Sequence, residues 1–499
     1  MTFKTDGLAT TGTRKVEPNP DGMTDVFSRI GYSLGEAIAD VIDNSIDAGA
    51  RTVVLQLHCQ DSEIRRITIA DDGCGMTATR LDEIMQFGVH VERETSRLGK
   101  YGIGLKTASF SQCDVFTVVS KVENRCSARR WSLESAKEDW KLELIDDGQA
   151  AKFWKRDWTP IAPAARSGTI VVWDSLRRLI SEKNGFESAI AKLRLGLSIE
   201  LGMRFHRFIE SDKLKLYIRE QSDQGRGVSE AIKALNPFDY GKSSGKKGYP
   251  ISFPVRLPGY PELGVEAHIW PPKSAHANYK LGSGAVLKRQ GFYFYRNDRL
   301  IQAGGWHGYK SEEAHFSLAR LRVDLPPEFD SAFQLTVQKN GCNPPPQFLE
   351  GLKEAKVGNT SFPGYLEAAQ DAYRNAPSVS DEVAFPAGGG LPKSIGAALR
   401  RHIKSQNEGA PLRKVSFVWK RLEARRVIQV DLPASQVLVN TTYRTKLFGG
   451  RVGAKSMAPF LTLLFVALRD ILVYDRAGKR VKVRERELNE MLLRVVETD

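Results

Sequence analysis

Long apolar runs are missing from these 499 residues. A membrane helix needs about 18 consecutive apolar residues, whereas the longest candidate, residues 457–468, is shorter and carries Pro459. The opening stretch, MTFKTDGLATTGTRK, lacks the apolar centre of a secretory signal. Both absences argue against a membrane protein and predict a cytoplasmic one that stays where it is made. Cysteine is scarce too: Cys59, Cys74, Cys113, Cys126 and Cys342 are odd in number, scattered, and form no C-x-x-C pair. That argues against a disulfide framework or a zinc module and for a reducing compartment. The eight histidines include no H-E-x-x-H pair.

What is present is an ordinary globular mixture, 41% hydrophobic and 26% charged, in a chain too long for one core. Two or three domains are therefore expected. Lysine and arginine exceed the acids by 14, which favours a polyanionic partner, nucleic acid first, over a mere solubility surplus.

The stretch Glu36–Ala50, EAIADVIDNSIDAGA, reads as one helix, with its start near Asp25, ending in a glycine turn. At 100° per residue Ile30, Leu34, Ile38, Val41 and Ile42 form an apolar stripe, and Asp40, Asn44 and Asp47 follow one another at i, i+4 and i+7 beside it. A solvated acidic face would give the same pattern. Two later stretches favour a site instead. Residues 67–76, ITIADDGCGM, read as a buried strand breaking into an acidic glycine turn, and residues 98–106, LGKYGIGLK, as a glycine-rich loop opening a helix.

In this order and spacing, DNSIDAGA, DDGCGM and GKYGIGLK resemble the ATP site of the GHKL superfamily (gyrase B, heat-shock chaperone, histidine kinase, MutL), and the wording is most similar to the MORC and MutL branches. The resemblance implies an α/β fold: a GHKL (Bergerat) α/β sandwich over residues 25–210, then a βαβ transducer domain over 211–375. Its implied ligands are ATP and Mg²⁺. Asn44 is the implied metal ligand, which suffices for a cation that takes its other oxygens from phosphates and water. One turn earlier the family places a carboxylate, usually Glu, that orients the attacking water. Here that position is Asp40, shorter by one methylene, which predicts slow turnover; Asp43 is the competing candidate but, one residue before Asn44, is expected to point away from the rim that holds Asp40, and Asp47 reads as a structural acid.

The resemblance assigns Asp71 to the adenine amino group, with Gly73, Gly75 and Met76 letting the backbone approach the ring and Thr169, in GTIVVW, joining the adenine network. Gly99, Lys100, Tyr101, Gly102, Ile103, Gly104, Leu105 and Lys106 are implied at the phosphates, where successive amides and a helix N-terminus favour an anion. Lys100 and Lys106 are the candidate cations. Lys339, in LTVQKN, resembles the lysine that a transducer extends toward the γ-phosphate, with Gln338 a weaker companion. GLKT at 104–107 is not a Walker A sequence.

Around these motifs, residues 1–24 read as a polar arm, Gly88–Arg97 as a lid, and Gly225–Gly248 as an exposed loop. Residues 290–308, QGFYFYRNDRLIQAGGWHG, read as a strand and turn; Phe333–Val337 as another strand; Gln347–Arg374 as one helix. Residues 376–398, with the GGG run at Gly388–Gly390, are expected to be a linker to a basic α+β domain over 399–499. The implied machine is an ATP-gated homodimeric clamp on nucleic acid, read without sequence preference. A chaperone-like ATPase with a protein client, and a nucleotide-gated scaffold with little turnover, stay open beside it.

Overall fold

The computed structural model describes residues 13–15, 19–87, 104–138, 140–158, 166–177, 185–222, 225–240, 244–272, 274, 276–282, 286–334, 341–374, 383–407, 412–448, 453–472 and 479–498. The chain forms two compact units, Met1–Arg374 and Asn375–Asp499.

The first unit opens with α1 (Pro20–Arg29) and α2 (Leu34–Asp47). The single helix expected from Asp25 is thus two, because Ser33 starts a new one with a full capping box. Its hydroxyl accepts from Glu36 N at 3.2 Å, and the Glu36 carboxylate accepts from Ser33 N at 2.9 Å. There follow β1 (Thr52–Gln60), β2 (Glu63–Asp71), α3 (Ala78–Met85), α4 (Gly104–Gln112), β3 (Cys113–Val122), β4 (Arg125–Ser132), α5 (Leu133–Lys137), β5 (Glu143–Ile145), α6 (Asp147–Asp157), β6 (Gly168–Leu176), α7 (Phe186–Arg204), α8 (His206–Glu210), β7 (Lys215–Ser222) and β8 (Gly225–Ala231).

These strands make one eight-stranded sheet, ordered β5-β4-β3-β6-β2-β1-β7-β8, in which β1 and β7 run parallel and all other neighbours antiparallel. Its central strands are buried on both faces. In β6, Val171 and Trp173 enter the large core under α2, α4 and α7, while Ile170 and Val172 enter a smaller one with Ala150 and Trp154 of α6. That is why GTIVVW reads as an unbroken apolar run. The sheet does not stop at residue 210: β7 and β8 extend it, so residues 225–231, expected as loop, are a strand.

A second, five-stranded sheet follows within the same unit: β9 (Ile251–Val255), β10 (Leu263–Ile269), β11 (Gly291–Arg296), β12 (Arg299–Ala303) and β13 (Ala319–Asp324), ordered β12-β11-β13-β10-β9, with short α9 (Ala277–Lys280) before β11. The parallel pair β11 and β13 is joined through β12. The expected turn after β11 is a two-residue hairpin, Asn297 and Asp298 both at positive φ (48° and 63°), the geometry that matches strand twist. The expected helix Gln347–Arg374 is α10 (Pro346–Glu354) and α11 (Phe362–Arg374), split by the small hairpin of β14 (Lys356–Val357) and β15 (Thr360–Ser361). Phe333 and Gln334 lie in a turn, not a strand.

The second unit holds β16 (Val383–Ala387), α12 (Lys393–Gln406), β17 (Leu412–Lys420), β18 (Ile428–Asp431), β19 (Gln436–Asn440), α13 (Arg444–Phe448), α14 (Ala454–Leu468) and α15 (Lys479–Glu497), the strands ordered β16-β17-β19-β18. The described part of the expected linker is therefore folded. β16 pairs with β17, and the glycine run is a turn pressed onto it: a β-carbon on Gly389, at φ +64°, would sit 1.6 Å from the Phe417 carbonyl oxygen. Trp419 Nε1 donates to the Gly389 carbonyl at 2.9 Å, so glycine serves close approach here and not flexibility.

Candidate functional site

α2 lies against the end of β2, and this contact builds the site. Ser45, one residue past Asn44, donates its hydroxyl to Asp71 Oδ2 at 2.9 Å, and Gly73 N donates to Asp71 Oδ1 at 2.9 Å. Asp72 accepts from the amides of Arg51 (2.7 Å) and Thr52 (2.8 Å), which locks the turn to the start of β1. Asp71 is 6% exposed, and burial pushes its carboxyl up to about 6 against the pull of those donors. A carboxylate held this way keeps acceptor capacity for an amino group.

The glycines of this turn are places of contact. A β-carbon on Gly75, at φ +68°, would meet the Lys121 carbonyl oxygen at 2.0 Å, and one on Gly73 would meet the Ala48 methyl at 2.9 Å. Met76 N donates to Ser120 Oγ at 2.8 Å, and Ser120 also reaches the Thr169 hydroxyl at 3.0 Å. Thr169 pairs in register with Asp71 across β2 and β6. Asp71, Gly73, Gly75, Met76 and Thr169 are thus brought together, joined by Ser45 and Ser120. The motif reading passed over those two serines; for Ser120 the signal was a hydroxyl on the apolar strand VFTVVS.

Midway along α2, Asp40 is 3% exposed. Its Oδ2 accepts from the Tyr32 hydroxyl at 2.8 Å and lies 3.6 Å from where a β-carbon on Gly104, the first residue of α4, would stand. Asp40 therefore faces the N-terminal end of the phosphate-candidate helix. Burial and the Asp40 charge both push the Tyr32 hydroxyl up, so Tyr32 remains a donor. Asn44 Nδ2 donates to the Asp40 carbonyl at 3.0 Å, which commits the amide nitrogen to the helix backbone and presents the amide oxygen as the end suited to a hard cation. Among the described residues no group of three His, Cys, Asp or Glu side chains has metal-holding geometry. A single amide ligand with phosphates supplying the rest fits that surface.

Two expectations are corrected. The Lys106 ammonium is not turned to a phosphate site: it is 1% exposed and donates to the carbonyls of Ile84 and Gln86, both at 2.7 Å, capping the end of α3. A cation among helix-terminal carbonyls satisfies charge and dipole together. Asp43, expected to point away from the rim, is fully buried and converges with Asp40 on one guanidinium. Arg299 Nε donates to Asp43 Oδ1 at 2.7 Å, while Arg299 Nη2 lies 3.7 Å from Asp40 Oδ1. Gly104 and Leu105 open α4 as expected. Gly99, Lys100, Tyr101, Gly102, Ile103, the lid at Gly88–Arg97, Gln338 and Lys339 lie outside the described residues.

Residues 32–155, which span all of this first-domain geometry except Thr169, match the family described as histidine kinase-, DNA gyrase B-, and HSP90-like ATPase. The chain is 34% identical over 90 residues to MORC family CW-type zinc finger protein 1 of Mus musculus, covering 16% of this chain and 9% of that protein. It is 30% identical over 115 residues to the Homo sapiens protein of the same name, covering 22% of this chain and 12% of that one. The chain thus spans about a tenth of the length of these relatives. Residues 32–155 thus carry a GHKL-type ATPase domain similar to that of the MORC proteins, in which a buried acid ends β2, a capped helix carries Asp40 and Asn44, and a glycine-started helix faces them.

Proposed function

We propose that the protein binds Mg²⁺-ATP between α2, β2 and α4, hydrolyses it slowly, and uses the cycle to open and close a homodimer on nucleic acid. The observation that carries the reading is the convergence on α2: Ser45 holds Asp71 near its C-terminal end and Asp40, at mid-helix, faces Gly104. Asp71 accepts from the adenine amino group, and Gly73, Gly75, Met76 and Thr169 shape that pocket. Asn44 holds the metal, whose chemistry is neutralisation of phosphate charge. Asp40 orients water and accepts its proton. The amides of residues 99–105 receive the phosphates, and Lys339 approaches the terminal one.

The second unit supports the polyanionic partner. Residues 375–499 contain 22 of the 73 lysines and arginines but only 12 of the 59 acids. Along α12, KSIGAALRRHIKSQ, no acid occurs, and Lys393, Arg400 and Lys404 fall within about 40° of one another on an exposed face. A stripe of that kind fits phosphates without reading bases.

The test measures ATP binding and dimer formation by light scattering, with and without duplex DNA, for wild type and Asp71→Asn. ATP-dependent dimers that Asp71→Asn cannot form are expected. A monomer at saturating ATP would remove the clamp, and DNA retention insensitive to salt would remove the nucleic-acid partner in favour of a protein client.

A further inference from the structure

Among the described residues the second sheet reaches the site at the hairpin between β11 and β12. β12 is the edge strand of that sheet, and it packs against α7 and α8 of the first domain, so its edge is covered. Beside it the two domains are joined by polar contacts. The His206 ring meets the Tyr295 hydroxyl at 3.0 Å, and Arg207 pairs with Asp324 and, at 3.4 Å, with Asp298. Arg299, the first residue of β12, goes deeper: it is fully buried, lies 5.7 Å from the Phe205 ring, and meets Asp43 and Asp40 of α2.

Asp40 and Asp43 stand one helical turn apart, both removed from water. The Arg299 guanidinium stands between these two carboxylates, and the Tyr32 hydroxyl bonds the opposite oxygen of Asp40, so the direction of the Asp40 side chain is set from both sides.

We infer that Arg299 is a positioning residue that holds Asp40 aimed at the start of α4, making hydrolysis conditional on the second sheet being seated on α2. The inference rests on the proposed role of Asp40. Lysine at this position keeps a charge but not the fork that meets two carboxylates, and it cannot replace arginine.

The experiment compares Arg299→Lys and Asp43→Asn with wild type and Asp40→Ala, measuring nucleotide affinity, single-turnover hydrolysis and thermal stability on the full chain. Each of the two variants is expected to lose at least tenfold in hydrolysis while ATP affinity stays within about threefold. In the Asp40→Ala background, Arg299→Lys is expected to cause no further loss, since it acts through Asp40. Equal losses of affinity and rate, or losses that multiply in the double variant, would overturn the inference and make Arg299 a structural residue. Wild-type turnover surviving in Asp43→Asn and Arg299→Lys alike would overturn it as well. Failure of the wider reading looks different: wild type itself would then bind no ATP, or Asp40→Ala would hydrolyse it at the wild-type rate.

Discussion

Asp71 carries opposite demands from folding and from binding. Its carboxyl stands at about 6 in the fold against an ordinary 3.8, with burial as the first cause. Folding therefore favours the protonated form: this contribution to stability is fully present below pH 4 and is lost as pH rises through 6, a span worth ~3 kcal/mol. In the proposed role of Asp71 at the adenine, nucleotide binding runs the other way, because an amino donor bonds more strongly to a carboxylate than to an acid. Asp71→Asn is accordingly expected to stabilise the nucleotide-free protein at pH 8 by ~1–3 kcal/mol in thermal unfolding while weakening ATP affinity at least tenfold. Wild-type affinity should fall a few-fold between pH 7.5 and 5, and Asp71→Asn should lack that dependence. Asp40→Ala is expected to retain ATP binding and lose phosphate release. Asp71, Asp40 and Asn44, the proposed site residues, come from the motif words, because the proposed chemistry needs those groups at those spacings. Tyr32 and Arg299 do not: their partners lie 8 residues away in one case and 256 in the other, and no local pattern announces either.

α2 shows how much an element owes to local signals. Its start is written in SLGE, a serine followed three residues on by glutamate, and the structure forms that box in full. Its apolar stripe was equally readable, except that Ile30 belongs to the turn before it. The Asn-Asp pair before Arg299 is a hairpin signal of the same local kind, and it fixes where β12 begins. By contrast, glycine runs are ambiguous in sequence. Gly388–Gly390 has a linker composition, yet a β-carbon on Gly389 would overlap the Phe417 carbonyl. Gly389→Ala is expected to destabilise the second unit by ~2 kcal/mol or more, through the clash and the positive φ, measured as the midpoint of its unfolding transition. Lys106 repeats the lesson for charge. Lys106→Met should cost ~2 kcal/mol of stability by leaving the Ile84 and Gln86 carbonyls without their donor. For α12, replacing Lys393, Arg400 and Lys404 together with alanine is expected to flatten the salt dependence of DNA binding by about 3 in log–log slope, read by titration at several ionic strengths.

Across the whole molecule, charge and cores are divided unequally. The first unit joins an eight-stranded and a five-stranded sheet through buried polar contacts, whereas the second has its own core around Phe417, Val439 and Leu461 and holds most of the positive surplus. Two unfolding transitions are therefore expected in calorimetry, with ATP raising only the first, because a ligand stabilises the unit that binds it. The sequence by itself determined the α/β class, the order of the three motifs, the choice of Asp40, Asn44 and Asp71 as the proposed site residues, and the basic character of the C-terminal unit, since each depends on residue type and short spacing. Only the tertiary structure decided that Lys106 faces inward, that β7 and β8 complete the first sheet, and that Arg299 of the second sheet stands between Asp40 and Asp43. Those outcomes depend on which distant surfaces exclude water from one another, and chain spacing does not encode that.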